Sequence, residues 1–408
     1  MAAKKEVVDQ EVVAPVAKVL SKKELIAQSM TKINKQFGAK TVGTLSSKIE
    51  EFKIEYIKTR SLAYNKMLHG GFVKGRISEI YGNQDSGKTS ISLDTIGYNM
   101  QMDPNFYAGW FETEGHFDIN YAISFGIDPE RFTVWSMEDY GAEGGLDILE
   151  AQIRTGAYNM ITVNTVAGLT PKKELEGEMI AQDVALQARM MSKLMRKIVA
   201  IASKKGTHVQ FINQVRVNVG SYGGGSIPNG GKALAFWASQ RLNHNGGFIE
   251  AEEKAKGYDP ELFKKIDVSV KKNRCSSMGN PYQKCTYYAE YGVGIDQIGT
   301  LPDQAVEFGI IKKNGNWCVD AASVDTKGKA VPKILPDGTK LAWPGAGGFR
   351  AYLREHPEYV EELRNRIEAL IGGPIDIAPV ECMSVEEVDQ AKIEQAELEA
   401  GLEGTDKD

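Results

Sequence analysis

The octapeptide "GNQDSGKT", Gly82 to Thr89, constrains this chain more than any other stretch. A strand-like run, "ISEIY", leads into it and a helical pattern, "TSISLDTIGYNMQ", leads out. Its glycines let the backbone N–H groups curl around phosphate oxygens, while Lys88 adds a point charge and the Thr89 hydroxyl faces Mg²⁺. The helix that starts there aims its positive end at the same anion. Gly82, Asn83, Gln84, Asp85, Ser86, Gly87, Lys88, Thr89 and Ser90 are therefore the candidate phosphate cradle. At average composition such a pattern arises by chance in about one chain in a hundred of this length. The bland alternative is a surface turn.

The rest of the chain supplies the fold that such a loop needs. Further strand candidates are "FYAGWFETE", "RFTVWS", "NMITVN", "THVQFINQ" and "KIDVSVKK". Helical segments such as "DVALQARMMSKLMRKIVAIASKKG" lie between them. The alternation predicts an α/β fold around a sheet that is parallel in its first part. Ahead of it, Leu25, Ile26, Met30, Ile33 and Phe37 recur at helical spacing, Gly38 ends that helix, and a strand-like "KTVGTL" follows. This unit has little core of its own and must pack on something else. After about residue 300, "DQAVEFGI", a β piece around Trp317 and "GGFRAYLREHPEYVEELRNRIEALIGG" predict a small α+β lobe. The expected divisions are a flexible terminus at 1–21, a helix-strand arm at 22–58, a core at 59–298, the lobe at 299–373 and an acidic tail at 374–408.

Charge placement decides what the partners can be. The net charge of −5 argues at first against nucleic acid. From Glu381 onward, however, ten acids stand against two lysines, and the remainder of the chain is net positive by +3. An acidic tail on a mildly basic body is expected either to be solvated or to compete with polyanions for basic surface. Cys275, Cys285, Cys318 and Cys382 have neither zinc-site nor disulfide-framework spacing, which fits reduced thiols in a cytoplasmic protein. No apolar run is long enough to cross a membrane, and the N-terminus lacks the apolar core of a signal peptide.

Gripping a triphosphate is not cutting it. Hydrolysis needs an oriented water and a proton acceptor, typically a carboxylate at the end of a neighbouring strand. "WFETEGHFD" offers two, Glu112 and Glu114, each of which is as readily a solvated loop acid.

Beyond the phosphate loop, "TVAGLTPKKELEGE", "ARMMSKLMRK", "FINQVR" and "GGKALAFWAS" occur in order, and with them the chain resembles the bacterial RecA recombinase family from about Lys22 to Gly373. The resemblance implies an ATP-dependent filament on single-stranded DNA that pairs with homologous double-stranded DNA and exchanges strands. It implies a DNA-dependent ATPase that uses ATP and Mg²⁺, in a bacterial cell or, for a phage-encoded member, its host cytoplasm. By the same resemblance Glu114 activates water, Tyr121 stacks on adenine beside Asp118, and Gln214 senses the γ-phosphate. Lys272 and Arg274 reach the nucleotide of the adjacent subunit. Ile33, Phe37 and Phe236 belong to subunit interfaces. DNA contacts are implied for two loops, Leu175 to Asp183 and Val215 to Gly231. The named candidates are Arg189, Arg196, Arg216, Val219, Tyr222, Gly230 and Gly231. Read alone, the second loop is a glycine-rich linker, and Arg189 and Arg196 lie on a solvated helix face. A structureless loop of that length inside a domain is usually functional, and flexible backbone with an aromatic suits unpaired bases.

Some positions depart from the family pattern. Asn164 stands where the family has an aspartate at the Mg²⁺ shell. The amide keeps an oxygen but loses a charge, forgoing at most roughly 6–7 kcal/mol at about 5 Å and an effective dielectric of about 20. Slower or more metal-dependent turnover is the expectation. Ala235 and Arg274 replace family lysines, glycines occupy 223–225, and "GYDPELFKKI" is displaced. Two other readings stay open: a DNA-binding scaffold with a structural nucleotide site, and a ring-forming helicase-type motor.

Overall fold

The computed structural model describes residues 20–49, 51–136, 141–173, 184–217, 226–228, 231–255, 258–275, 284–326 and 328–371. The first candidate DNA loop, Val219, Tyr222, Gly230, glycines 223–225 and the acidic tail lie outside these residues.

The described residues up to Glu55 form one compact unit and those from Tyr56 onward a second. In the first, helix α1 (Lys22–Phe37) opens with Ser21 and Glu24 capping each other's backbone N–H groups and ends at Gly38, with φ 114°. None of its residues is buried, and Phe37 is 68% exposed. The strand expected at "KTVGTL" does not form. Lys40 takes a left-handed φ of 72°, and the Asn34 side chain bonds both backbone groups of Val42 at 2.8 Å, which occupies the groups a strand would pair.

In the second unit, short strands β1 (Tyr56–Ile57) and β2 (Phe72–Val73) flank helix α2 (Leu62–Leu68). The main sheet uses β3 (Ile77–Gly82), β4 (Ala108–Glu112), β5 (Phe132–Ser136), β6 (Met160–Asn164), β7 (His208–Val217), β8 (Ser226–Pro228), β9 (Gln240–Gly247), β10 (Phe263–Asn273), β11 (Lys284–Glu290) and β12 (Gly294–Ile295). Its order is β12-β11-β10-β9-β3-β7-β6-β4-β5, with β8 paired to β7. From β9 to β5 all neighbours are parallel, and β9 to β12 are antiparallel.

Strand alternation divides the core between two faces. Ile80, Trp110, Met160 and Ile212 pack beneath helix α3 (Lys88–Met102), through its Ile91, Leu93 and Ile96. Phe111, Ile161, Val163 and Phe211 point the other way. There they meet Leu146, Leu149 and Ile153 of a helix at Gly141–Thr155 and Met191, Leu194, Met195 and Ile198 of another at Val184–Lys205. The result is the layered α/β arrangement expected, with every parallel strand ending on the side where α3 begins.

Beyond residue 300, four antiparallel strands and helices Leu301–Glu307, Gly345–Glu355 and Pro357–Leu370 enclose a core of Leu341, Trp343, Phe349, Leu353 and Leu363. The run from Gly345 is broken after Glu355 because Pro357 cannot continue a helix but can begin one. Buried Asp320 ties this region together, accepting from Arg366 at 2.6 and 3.0 Å and from the Tyr359 hydroxyl at 2.7 Å. Arg364 donates to the Arg60 carbonyl at 2.8 Å, and both guanidinium groups lie over the Tyr98 ring.

Candidate nucleotide site

The phosphate loop connects β3 to α3, and its shape is fixed from below. A Cβ on Gly82 would lie 2.1 Å from the His244 carbonyl oxygen of β9, so only glycine lets the two strands pass there. Gly87 takes a left-handed φ of 73° as the helix cap, and Asp85 another of 56°. Within the curl, the Lys88 amino group donates to the carbonyls of Gly82 and Asn83 and to Ser86 Oγ. Burial lowers its pKa to about 8, against the pull of Glu114 and Asp85. A 7%-exposed lysine amino group bonded to carbonyl and hydroxyl oxygens is stabilised by an incoming anion, so the donor set fits phosphate.

Across the sheet, the ends of β4 and β6 are stitched together. The Thr113 N–H donates to the Asn164 carbonyl, and Thr113 Oγ1 both accepts from the Thr165 N–H and donates to the Thr165 carbonyl, each at 2.8 Å. Glu114 emerges here, exposed, with Oε1 accepting from Gln214 Nε2 at 2.8 Å and from Thr165 Oγ1 at 3.0 Å. The two acids of "WFETE" thereby separate. Glu112 is 5% exposed and accepts from Trp110 Nε1, Asn164 Nδ2 and the Glu114 N–H. Glu114 alone keeps solvent access. Thr113 and Thr165 escape a sequence reading, because nothing in the pattern tells which strand-end threonine, even Thr165 at the head of "TVAGLTPKKELEGE", will bond across to a neighbouring strand.

Tyr121 belongs to a short helix, Ile119–Ser124, whose N-cap is Asp118, accepting from the Tyr121 N–H at 3.1 Å. The Tyr121 hydroxyl meets Ser90 Oγ at 2.7 Å, and its ring stands edge-on to Phe125. That places an aromatic beside the first turn of α3. Thr89 is half-buried in the same turn, and Gln84 is exposed on the loop.

Other candidates are brought together elsewhere. Lys272 faces Arg241 across β9–β10, and Arg241 faces Glu79 across β3–β9, about 10 Å along the strand before the phosphate loop. Lys272 donates to the carbonyls of Ala235 and Phe236 at 3.0 and 2.6 Å, and Arg274 lies further along in the same direction. Both cations are thus at the opposite end of the sheet from their own loop. Phe236 projects there, 66% exposed. Arg189 and Arg196 are exposed on the helix Val184–Lys205, and Gly231, with φ 73°, precedes the helix Lys232–Trp237. Arg216 lies in β7. Cys275, Cys285 and Cys318 are free thiols, and among the described residues no cluster of His, Cys, Asp or Glu suits a metal. No described helix is long and apolar enough to cross a membrane.

A family model described as the RecA N-terminal domain matches residues 24–296. This chain belongs to the RecA family. It is 33% identical over 369 residues to Protein RecA 1 of Myxococcus xanthus, covering 90% of this chain and 99% of that protein. To Protein RecA of Wolinella succinogenes it is 34% identical over 360 residues, 88% of this chain and 94% of that one. To Protein RecA of Acidothermus cellulolyticus it is 36% identical over 336 residues, 82% and 89%. Membership of the RecA family makes it an ATP-dependent recombinase of DNA recombination and repair. RecA-family proteins are DNA-dependent ATPases that use nucleotide and magnesium.

Proposed function

We propose that this chain forms a helical filament on single-stranded DNA, pairs it with homologous double-stranded DNA and exchanges strands. ATP is gripped by Gly82 to Ser90, with Tyr121 against the base and Asp118 near its edge. Glu114 accepts the proton of the attacking water. Gln214 lies on β7, the strand that runs into the second DNA loop, and its 2.8 Å bond to Glu114 is the observation that carries the reading. A γ-phosphate that competes for Gln214 changes the same strand that leads to DNA.

Lys272 and Arg274 serve the ATP of the adjacent protomer, since they lie at the far end of their own sheet. The helix Lys22–Phe37, with Ile33 and Phe37, docks on a neighbour, as does Phe236. Arg189, Arg196, Arg216 and Gly231 line the DNA path, together with Val219, Tyr222 and Gly230.

Thr89 and Asn164 offer oxygen donors of the kind Mg²⁺ accepts while keeping most of its waters. Bound with the nucleotide, Mg²⁺ neutralises charge that develops on the phosphoryl oxygens. The neutral amide at 164 makes turnover slower and more dependent on free Mg²⁺. A rate that keeps rising beyond equimolar Mg²⁺ and ATP is expected, and a rate already flat there overturns that point. The protein acts in the cytoplasm of a bacterial cell, or of the host if phage-encoded.

Strand exchange tests the whole reading. The wild-type chain should exchange strands with ATP and assemble, without release, on a slowly hydrolysed analogue, while Lys88→Ala should do neither. Assembly on DNA without nucleotide would overturn it.

A further inference from the structure

Glu112 and Asn164 are register partners on neighbouring strands β4 and β6, level with Ile80, just before the phosphate loop begins on β3. Their side chains meet, with Asn164 Nδ2 3.0 Å from Glu112 Oε2. A carboxylate only accepts, so the amide must turn its NH₂ toward Glu112 and its Oδ1 away. Glu112 also takes Trp110 Nε1 on Oε2 at 2.9 Å and the Glu114 N–H on Oε1 at 2.8 Å. It is 5% exposed, and among the described residues no lysine or arginine forms an ion pair with it. Three donors hold this buried carboxylate and no described cation neutralises it, so its charge can act on a cation that approaches. It stands at the strand ends that frame the phosphate loop.

We propose that Glu112 supplies, from one strand over, the negative charge that Asn164 lacks toward the nucleotide's divalent cation. In doing so it positions Asn164 so that the amide oxygen faces the cation's water shell. Charge and ligand oxygen are thereby divided between two residues. The inference rests on reading Gly82 to Ser90 as a nucleotide site. Glu112 is a positioning residue here, because its three bonds hold it back from the reacting atoms.

The test is a Mg²⁺ titration of fluorescent ATP-analogue binding, with thermal unfolding measured on the same proteins. Glu112→Gln should raise the Mg²⁺ concentration for half-saturation about ten- to hundredfold. Glu112→Asp keeps the charge and should raise it much less. In Glu112→Gln with Asn164→Asp the charge moves to position 164 and the new amide donates to it. Mg²⁺ half-saturation should then return most of the way to wild type. Thermal stability should not return, because the NH₂ of the new amide takes the place of the oxygen that accepts from Trp110 Nε1, and the indole loses its partner. The two readouts part company only if the pair serves the cation. Unchanged half-saturation in Glu112→Gln, or a double variant that recovers neither readout, overturns the inference. A wild-type chain that binds no analogue at any Mg²⁺ concentration overturns the nucleotide reading itself, and Lys88→Ala supplies the baseline for that outcome.

Discussion

Lys88 carries the most testable residue-scale chemistry. Its pKa near 8 reflects burial, and a bound triphosphate favours the charged amine. Above about pH 8 the free protein must therefore take up a proton to bind. ATP affinity should weaken by up to about tenfold per pH unit there and stay flat between pH 6 and about 7.5. Equilibrium binding across that range checks it. Affinity that is flat to pH 10 would mean the amine does not meet phosphate. Glu114→Gln should cut hydrolysis by about 10²–10⁴ with ATP still bound, whereas Gln214→Ala should spare basal turnover and abolish its stimulation by DNA. The phosphate loop was legible in the sequence because its spacing is itself the mechanism. The division between Glu112 and Glu114 was legible only through the family resemblance, not from the residues themselves. Two acids at alternate strand positions look equivalent until Trp110 and Asn164 claim one of them.

At the scale of elements, two buried histidines brace the sheet. His208 Nδ1 donates to the Val73 carbonyl at 2.9 Å, and Nε2 meets Ser78 Oγ at 2.8 Å. His244 Nε2 meets the Tyr64 hydroxyl at 3.0 Å. Burial lowers their pKa values to about 4 and about 3. The unfolded chain thus binds more protons between those values and about 6.5, and stability should fall as pH drops through that window. Asp94, raised to about 6 by burial despite Arg60, has the opposite sign and offsets part of the loss. Urea unfolding from pH 7 to 4 should show a shallower decline in His208→Gln than in wild type. An equal slope would count against neutral burial. Gly82→Ala should cost about 1–3 kcal/mol, because its Cβ meets backbone rather than a side chain that can move. The inner parallel strands β3, β4, β6 and β7 were legible because they are buried on both faces and read as apolar runs. Strand β9 was not, since "QRLNHNGG" buries Gln240 and His244 through hydrogen bonds instead of apolar bulk. "KTVGTL" misled for the converse reason: its composition suits a strand, but Asn34 claims the backbone first.

For the whole molecule, electrostatics govern the encounter with DNA. Removing residues 381–408, which carry net −8, should tighten single-stranded DNA binding or lower its Mg²⁺ requirement. Fluorescence anisotropy at low salt tests this, and identical isotherms would exclude competition by the tail. Affinity should also fall steeply with salt and depend little on base sequence. Lys272 and Arg274 lie at the far end of the sheet from the phosphate loop. In the filament proposed above, a row of n protomers has only n − 1 complete catalytic centres, because the terminal copy has no neighbour to supply its cations. Short rows should therefore hydrolyse less per protomer than long ones. On oligonucleotides of increasing length, specific activity should climb toward a plateau, and disassembly should begin at a single, chemically distinct end.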